Sequence, residues 1–148
     1  MIGKFPTGSI MRNCCTAKLY NKLSYDAREL MTSQAFADTF PGLALADDKQ
    51  SLDGWNTAKA KQVSYFGAGV GGTVIGFGAS LLAVTDDLFK SMEDGLSETV
   101  QESTFSWYSG THRSRIEKDC PELDIGTRWT KRDIIGKNIE SSYYDEIV

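Results

Sequence analysis

Histidine occurs once and cysteine three times in the 148 residues, so the side chains that build most zinc and thiol sites are nearly absent. Cys14, Cys15 and Cys120 form no C-x-x-C pair, and adjacent cysteines do not have metal-ligand spacing. In a strand, Cys14 and Cys15 would face opposite sides of a sheet. All three are expected to be buried thiols of a reducing compartment. His112 lies in an expected helix between Thr111 and Arg113, with no nucleophile in a recognisable context, and reads as a surface residue. No run of about 18 apolar residues occurs, so no transmembrane helix is indicated. The opening MIGKFPTGSI lacks the apolar stretch of a secretory signal. A net charge of −4 gives the chain no overall basic character; contact with nucleic acid would need a local patch. Internal repeats, low-complexity tracts and composition shifts marking a domain boundary are also missing.

What is present reads as one α/β domain. Ile10–Thr16 is a short mixed strand, and Leu19, Leu23, Ala27, Leu30 and Met31 then recur at helical spacing for about four turns. Pro41-Gly42 is a turn, and Asp47–Thr57 is polar and loop-like, with Trp55 anchoring it to the body. Leu88–Ser97 reads as a polar connection. From Ser97-Glu98, Val100, Thr104, Trp107, Tyr108 and Thr111 share one face, giving a helix to about Ile116 that Pro121 prevents from continuing. Leu123–Thr127 is a strand. Thr130-x-x-Asp133 resembles a capping box opening a last helix, which Gly136 weakens by about 1 kcal/mol. Strands alternating with helices argue for a mostly parallel sheet covered on both faces.

The organising stretch is Tyr65–Asp87. A short strand around Val63, Tyr65 and Phe66 enters a loop holding Gly67, Gly69, Gly71, Gly72, Gly76 and Gly78. An apolar run, Leu81–Val84, follows and ends on Asp86 and Asp87. In open α/β sheets, ligands bind just beyond such strand ends. Gly67-x-Gly69-x-x-Gly72 meets the dinucleotide spacing, which requires a helix opening at Gly72. The next residues, Thr73 to Gly78, are β-branched and glycine-rich and form helices poorly. Gly67 and Gly72 also have P-loop spacing, but Thr73-Val74 stand where Lys-Ser/Thr must be, and no G-x-x-x-x-G-K-[ST] occurs elsewhere. Two acids ending an apolar strand remain, either as a solvated turn or as a site for a hydrated divalent ion.

Several segments, in order, resemble the large terminase subunit, the DNA-packaging motor ATPase of tailed phages. They are SYDARELM, FPGLALADD with the Trp55 that follows, GVGGTVIGFGASLLAVTDD, LSETVQESTFSWYSGTHRSRIE and IGTRWTKRDIIGKNIE, spanning Arg12 to Glu140. The resemblance implies a partial P-loop NTPase fold of the RecA-like (ASCE) class, with residues 1–148 as its Walker B and coupling-motif half. It implies that Asp86 is the Walker B acid ordering a Mg²⁺ shell and that Asp87 polarises the attacking water. Gly126 and Thr127 match the coupling motif, whose threonine senses the γ-phosphate of ATP, and Arg128-Trp129 match the residues just beyond. Arg115 is either a charge sensor or a helix-end surface residue. The family's P-loop would precede the equivalent of Met1, and its nuclease domain would follow that of Val148. The expected partners are therefore a Walker A segment or other terminase subunits, with portal and double-stranded DNA in the family and no membrane. The expected location is the cytoplasm of an infected or lysogenic bacterium. ATP hydrolysis by this chain alone is expected to be poor or absent. The alternative is a non-catalytic α/β interaction module or remnant of the motor.

Overall fold

Strand β1 (Ile10–Cys14) runs through the interior of a six-stranded sheet, with one parallel neighbour on each side. The computed structural model describes residues 1–74 and 76–148, leaving aside the side chains of residues 48–50. Thr16 caps helix α1 (Ala17–Thr32), its hydroxyl accepting from the Leu19 amide at 3.1 Å. A second cap, Ser33, starts α2 (Gln34–Thr39), which closes at the Pro41-Gly42 turn; Gly42 takes φ +78. Strands β2 (Leu45–Ser51) and β3 (Gly54–Thr57) form an antiparallel pair, and β3 pairs antiparallel with β4 (Tyr65–Phe66). The expected loop at 47–57 is thus a hairpin. Trp55 does anchor it: buried, it stacks on Tyr65 at 5.1 Å, while Tyr20 stacks on the same ring at 6.2 Å.

Strand β5 (Leu82–Asp86) lies parallel to β1, pairing Cys14 with Asp86, and β6 (Glu122–Ile125) lies parallel to β5, pairing Asp86 with Ile125. The order β2-β3-β4-β1-β5-β6 makes the four-strand side parallel and the hairpin side antiparallel. Alternation along the strands fixes two faces. Cys14 and Tyr65 pack under α1, with Ile10 against them. On the other face, Met11, Phe66 and Ala83 form a second core.

That second face is reached by a chain that is helical in three different ways. Ser91 caps a short α3 (Met92–Leu96), where a polar connection was expected, and Ser97 caps α4 (Glu98–Trp107). The chain then widens into a π-helical turn, Tyr108–His112, and tightens into a 3₁₀ turn, Arg113–Arg115. This sequence of pitches replaces the single helix expected to Ile116, and π turns of this kind recur at specialised positions. Helix α5 (Ile134–Glu140) is capped by Asp133 rather than Thr130. The capping-box spacing points three residues too early, because Asp133 supplies the side-chain acceptor itself. Gly136 costs less than expected in this helix, since a Cβ there would collide with the Lys131 carbonyl. Among the described residues, no helix is long and apolar enough to cross a membrane.

Candidate functional site

The parallel strands β1, β4, β5 and β6 end at one rim of the sheet, and both acids and the Gly126-Thr127 pair lie there. Asp86 is the last residue of β5. Asp87 follows with φ +50, in the left-handed region, where Asp is tolerated better than most residues. Its amide donates to the Ile125 carbonyl at 2.9 Å. This bond fastens the end of β5 to the end of β6 and brings Gly126 against the Asp87 backbone. Asp87, Gly126 and Thr127 line a cavity of about 20 Å³ together with Thr85 and Asp133, room for about one water molecule.

Asp86 is engaged on the other face. Its Oδ2 accepts from Arg12 Nη2 in an ion pair between half-buried side chains. The register explains the contact: Arg12 lies two residues before Cys14, the partner of Asp86, and so is its diagonal neighbour on one face. Burial works against a charge on Arg12, but hydrogen bonds and charge interactions with Asp86 and Tyr65 together outweigh it and hold the guanidinium above its usual pKa. Burial also pushes the Cys14 thiol up to about 11, so it stays protonated at neutral pH. Of the three cysteines only Cys14 is fully buried; Cys15 and Cys120 are half-buried, and all are free thiols.

Arg128 turns back to Asp133, with its Nε 3.3 Å from Oδ1. Asp133 is nearly inaccessible and also accepts from the amides of Trp129 at 2.7 Å, Thr130 at 2.9 Å and Gly136 at 2.7 Å. The Trp129 ring sits where a Cβ on Gly95 would be. Arg115 lies elsewhere, its carbonyl accepting from the Ala79 amide at 2.7 Å, ahead of the start of β5.

The glycine loop holds its own backbone. From Phe66 it continues beside β1, with the Cys14 amide donating to the Ala68 carbonyl at 3.0 Å and the Val70 amide to the Cys14 carbonyl at 2.9 Å. A Cβ on Gly67 would overlap the Arg12 carbonyl oxygen, and one on Gly69 the start of α1. No helix opens at Gly72, which removes the dinucleotide reading.

Behind β6 lies a network that no sequence motif announces. His112 is fully buried, not on the surface: the π turn directs it inward, Nδ1 lying 2.7 Å from Asn13 Nδ2 and Nε2 lying 3.2 Å from Glu122 Oε1. The Tyr108 hydroxyl lies 2.8 Å from both Glu122 Oε1 and Asp124 Oδ2. Asp124 also accepts from Thr85 at 2.6 Å, Tyr144 at 2.7 Å and Asn138 at 3.2 Å. Burial raises the Glu122 carboxyl, but hydrogen bonds from His112, Tyr143 and Tyr108 outweigh it and hold the pKa below the usual value. Ligand atoms of His112, Glu122 and Asp124 lie within 4.8 Å of one another. Hydroxyl, amide and imidazole donors already occupy them, so this is a hydrogen-bonded brace and not a cation cage.

Comparison with known proteins finds no family model that matches the chain and no match among curated proteins.

Proposed function

We propose that this chain is the Walker B and coupling-motif half of a terminase-type DNA-packaging ATPase. The observation that carries the reading is the Asp87–Ile125 backbone bond, which sets a second strand-end acid beside Gly126-Thr127 across a one-water cavity. In this reading Asp86 is the metal-side acid, Asp87 orients an attacking water, and Thr127 responds to the terminal phosphate of ATP. Gly126 and Arg128 border the nucleotide. Asp87 and Thr127 offer oxygen donors at the cavity, which suits a hard Mg²⁺ ion, while Asp86 offers its carboxylate from the opposite face, where it is paired with Arg12; when bound, that ion neutralises phosphate charge. The glycine loop is committed to β1 and α1, so the phosphate cradle belongs to another segment. The outer edge of β6 has no neighbouring strand among the described residues, and Leu123 and Ile125 are 47% and 48% exposed on the α1 side. A P-loop strand and its helix would cover both.

A fluorescent ATP analogue titrated into the chain, with and without a P-loop polypeptide, tests the proposal. Saturable Mg²⁺-dependent binding only in the mixture, lost in Asp86→Ala and weakened in Thr127→Ala, is the expected result. Binding that neither substitution alters would overturn it. The non-catalytic module remains the second reading because one observation favours it: Asp86 is already paired with Arg12.

A further inference from the structure

Arg12 interrupts an otherwise largely apolar interior strand, IMRNC, and among the described residues it is the one cation paired with Asp86. A divalent ion approaching that carboxylate would meet a positive charge already bound to Oδ2. The two cations repel each other and compete for the same lone pairs. Arg12 Nε is buried and finds no hydrogen-bond partner among the described residues, and Tyr65 stands beside the guanidinium, supporting its charge together with Asp86. The carboxylates behind β6 differ, since each is held by several donors at once that no simple exchange would release. Both partners of the Arg12–Asp86 pair keep solvent access, at 29% and 21% side-chain exposure, so an ion can reach the site.

We infer that Arg12 is a built-in counter-cation for Asp86, standing where a divalent ion would bind and giving way only when displaced from the carboxylate. This rests on reading Asp86 as the metal-side acid. The device keeps the half-site from holding metal until something else, such as phosphate charge, draws the guanidinium away.

Mn²⁺ binding to the full chain, followed by electron paramagnetic resonance without nucleotide, tests the inference. Wild type should bind weakly, and Arg12→Gln should bind about tenfold or more tightly, since a positive charge close to the ion is removed. Arg12→Lys, which keeps the charge, should stay near wild type. Asp86→Asn in the Arg12→Gln background should erase the gain. A gain that survives Asp86→Asn overturns both this inference and the assignment of Asp86. No gain in Arg12→Gln, with Asp86→Asn still weakening wild-type binding, overturns the counter-cation alone. Equal gains in Arg12→Lys and Arg12→Gln also overturn it. Should Arg12→Gln fail to fold, wild type still decides. Selective paramagnetic broadening of Cys14, Asp86 and Asp87 amides at low Mn²⁺ overturns the inference, and its absence supports it.

Discussion

Removing one oxygen, in Tyr108→Phe, is the sharpest probe of the brace behind β6. The ring is fully buried, stacks on His112 at 5.3 Å and has Arg113 over its face at 4.6 Å, so phenylalanine keeps the packing and loses only the hydroxyl. That hydroxyl donates to a carboxylate and accepts from Arg113 Nη2 at 3.1 Å and Asn138 Nδ2 at 2.8 Å. A hydrogen bond to a charged group contributes about 1.5–3 kcal/mol, and a stranded buried partner costs a similar amount. Glu122 Oε1 retains His112, while Asp124 Oδ2 retains Tyr144 and Asn138. The loss therefore falls near the low end, about 2 kcal/mol. With a urea slope of about 2 kcal/mol/M, the unfolding midpoint should drop by about 1 M. Circular dichroism during urea titration reads this directly. A shift below about 0.25 M, on the same slope, would show that water or the remaining donors replace the hydroxyl and that the brace is not cooperative.

Stability should also depend on acid. The Glu122 pKa is depressed on folding, so its contribution is complete above the unfolded carboxyl value of about 4.3 and is lost as pH falls through the folded value. Urea midpoints between about pH 6 and pH 3 should fall more steeply for wild type than for Glu122→Gln, and parallel curves would contradict the assignment. Gly67→Ala should prevent stable folding, because its Cβ would overlap the Arg12 carbonyl and neither backbone has room to retreat; a cooperative thermal transition like that of wild type would show otherwise.

The elements whose reasons are local could be read from sequence. Strand β1, helix α1, the Leu82–Asp86 strand and β6 follow from apolar periodicity and the placement of turns. The β2–β3 hairpin could not be read, because residues 47–57 are polar and become strand only by pairing, with Trp55 as their one apolar anchor. His112 escapes a sequence reading for a related reason. A π turn adds a residue to one helical turn and rotates the side chains beyond it, and nothing in YSGTH marks it. The two acids at the end of an apolar strand were legible, as was Thr127, which shares a cavity with Asp87. Arg12 was not, since its partner is 74 residues away, although a basic residue inside a core strand is itself a sign that a buried acid must exist.

Asp133 has a mechanical consequence. One inaccessible carboxylate ties the amides of Trp129, Thr130 and Gly136 and the side chain of Arg128 into a single knot. The segment after Thr127 is therefore pinned to the first turn of α5 by one side chain, and the Trp129 ring, filling the space over Gly95, packs the same segment against α3. Substituting Asp133 would thus loosen the rim of the sheet and the start of α5 together, since one carboxylate serves both.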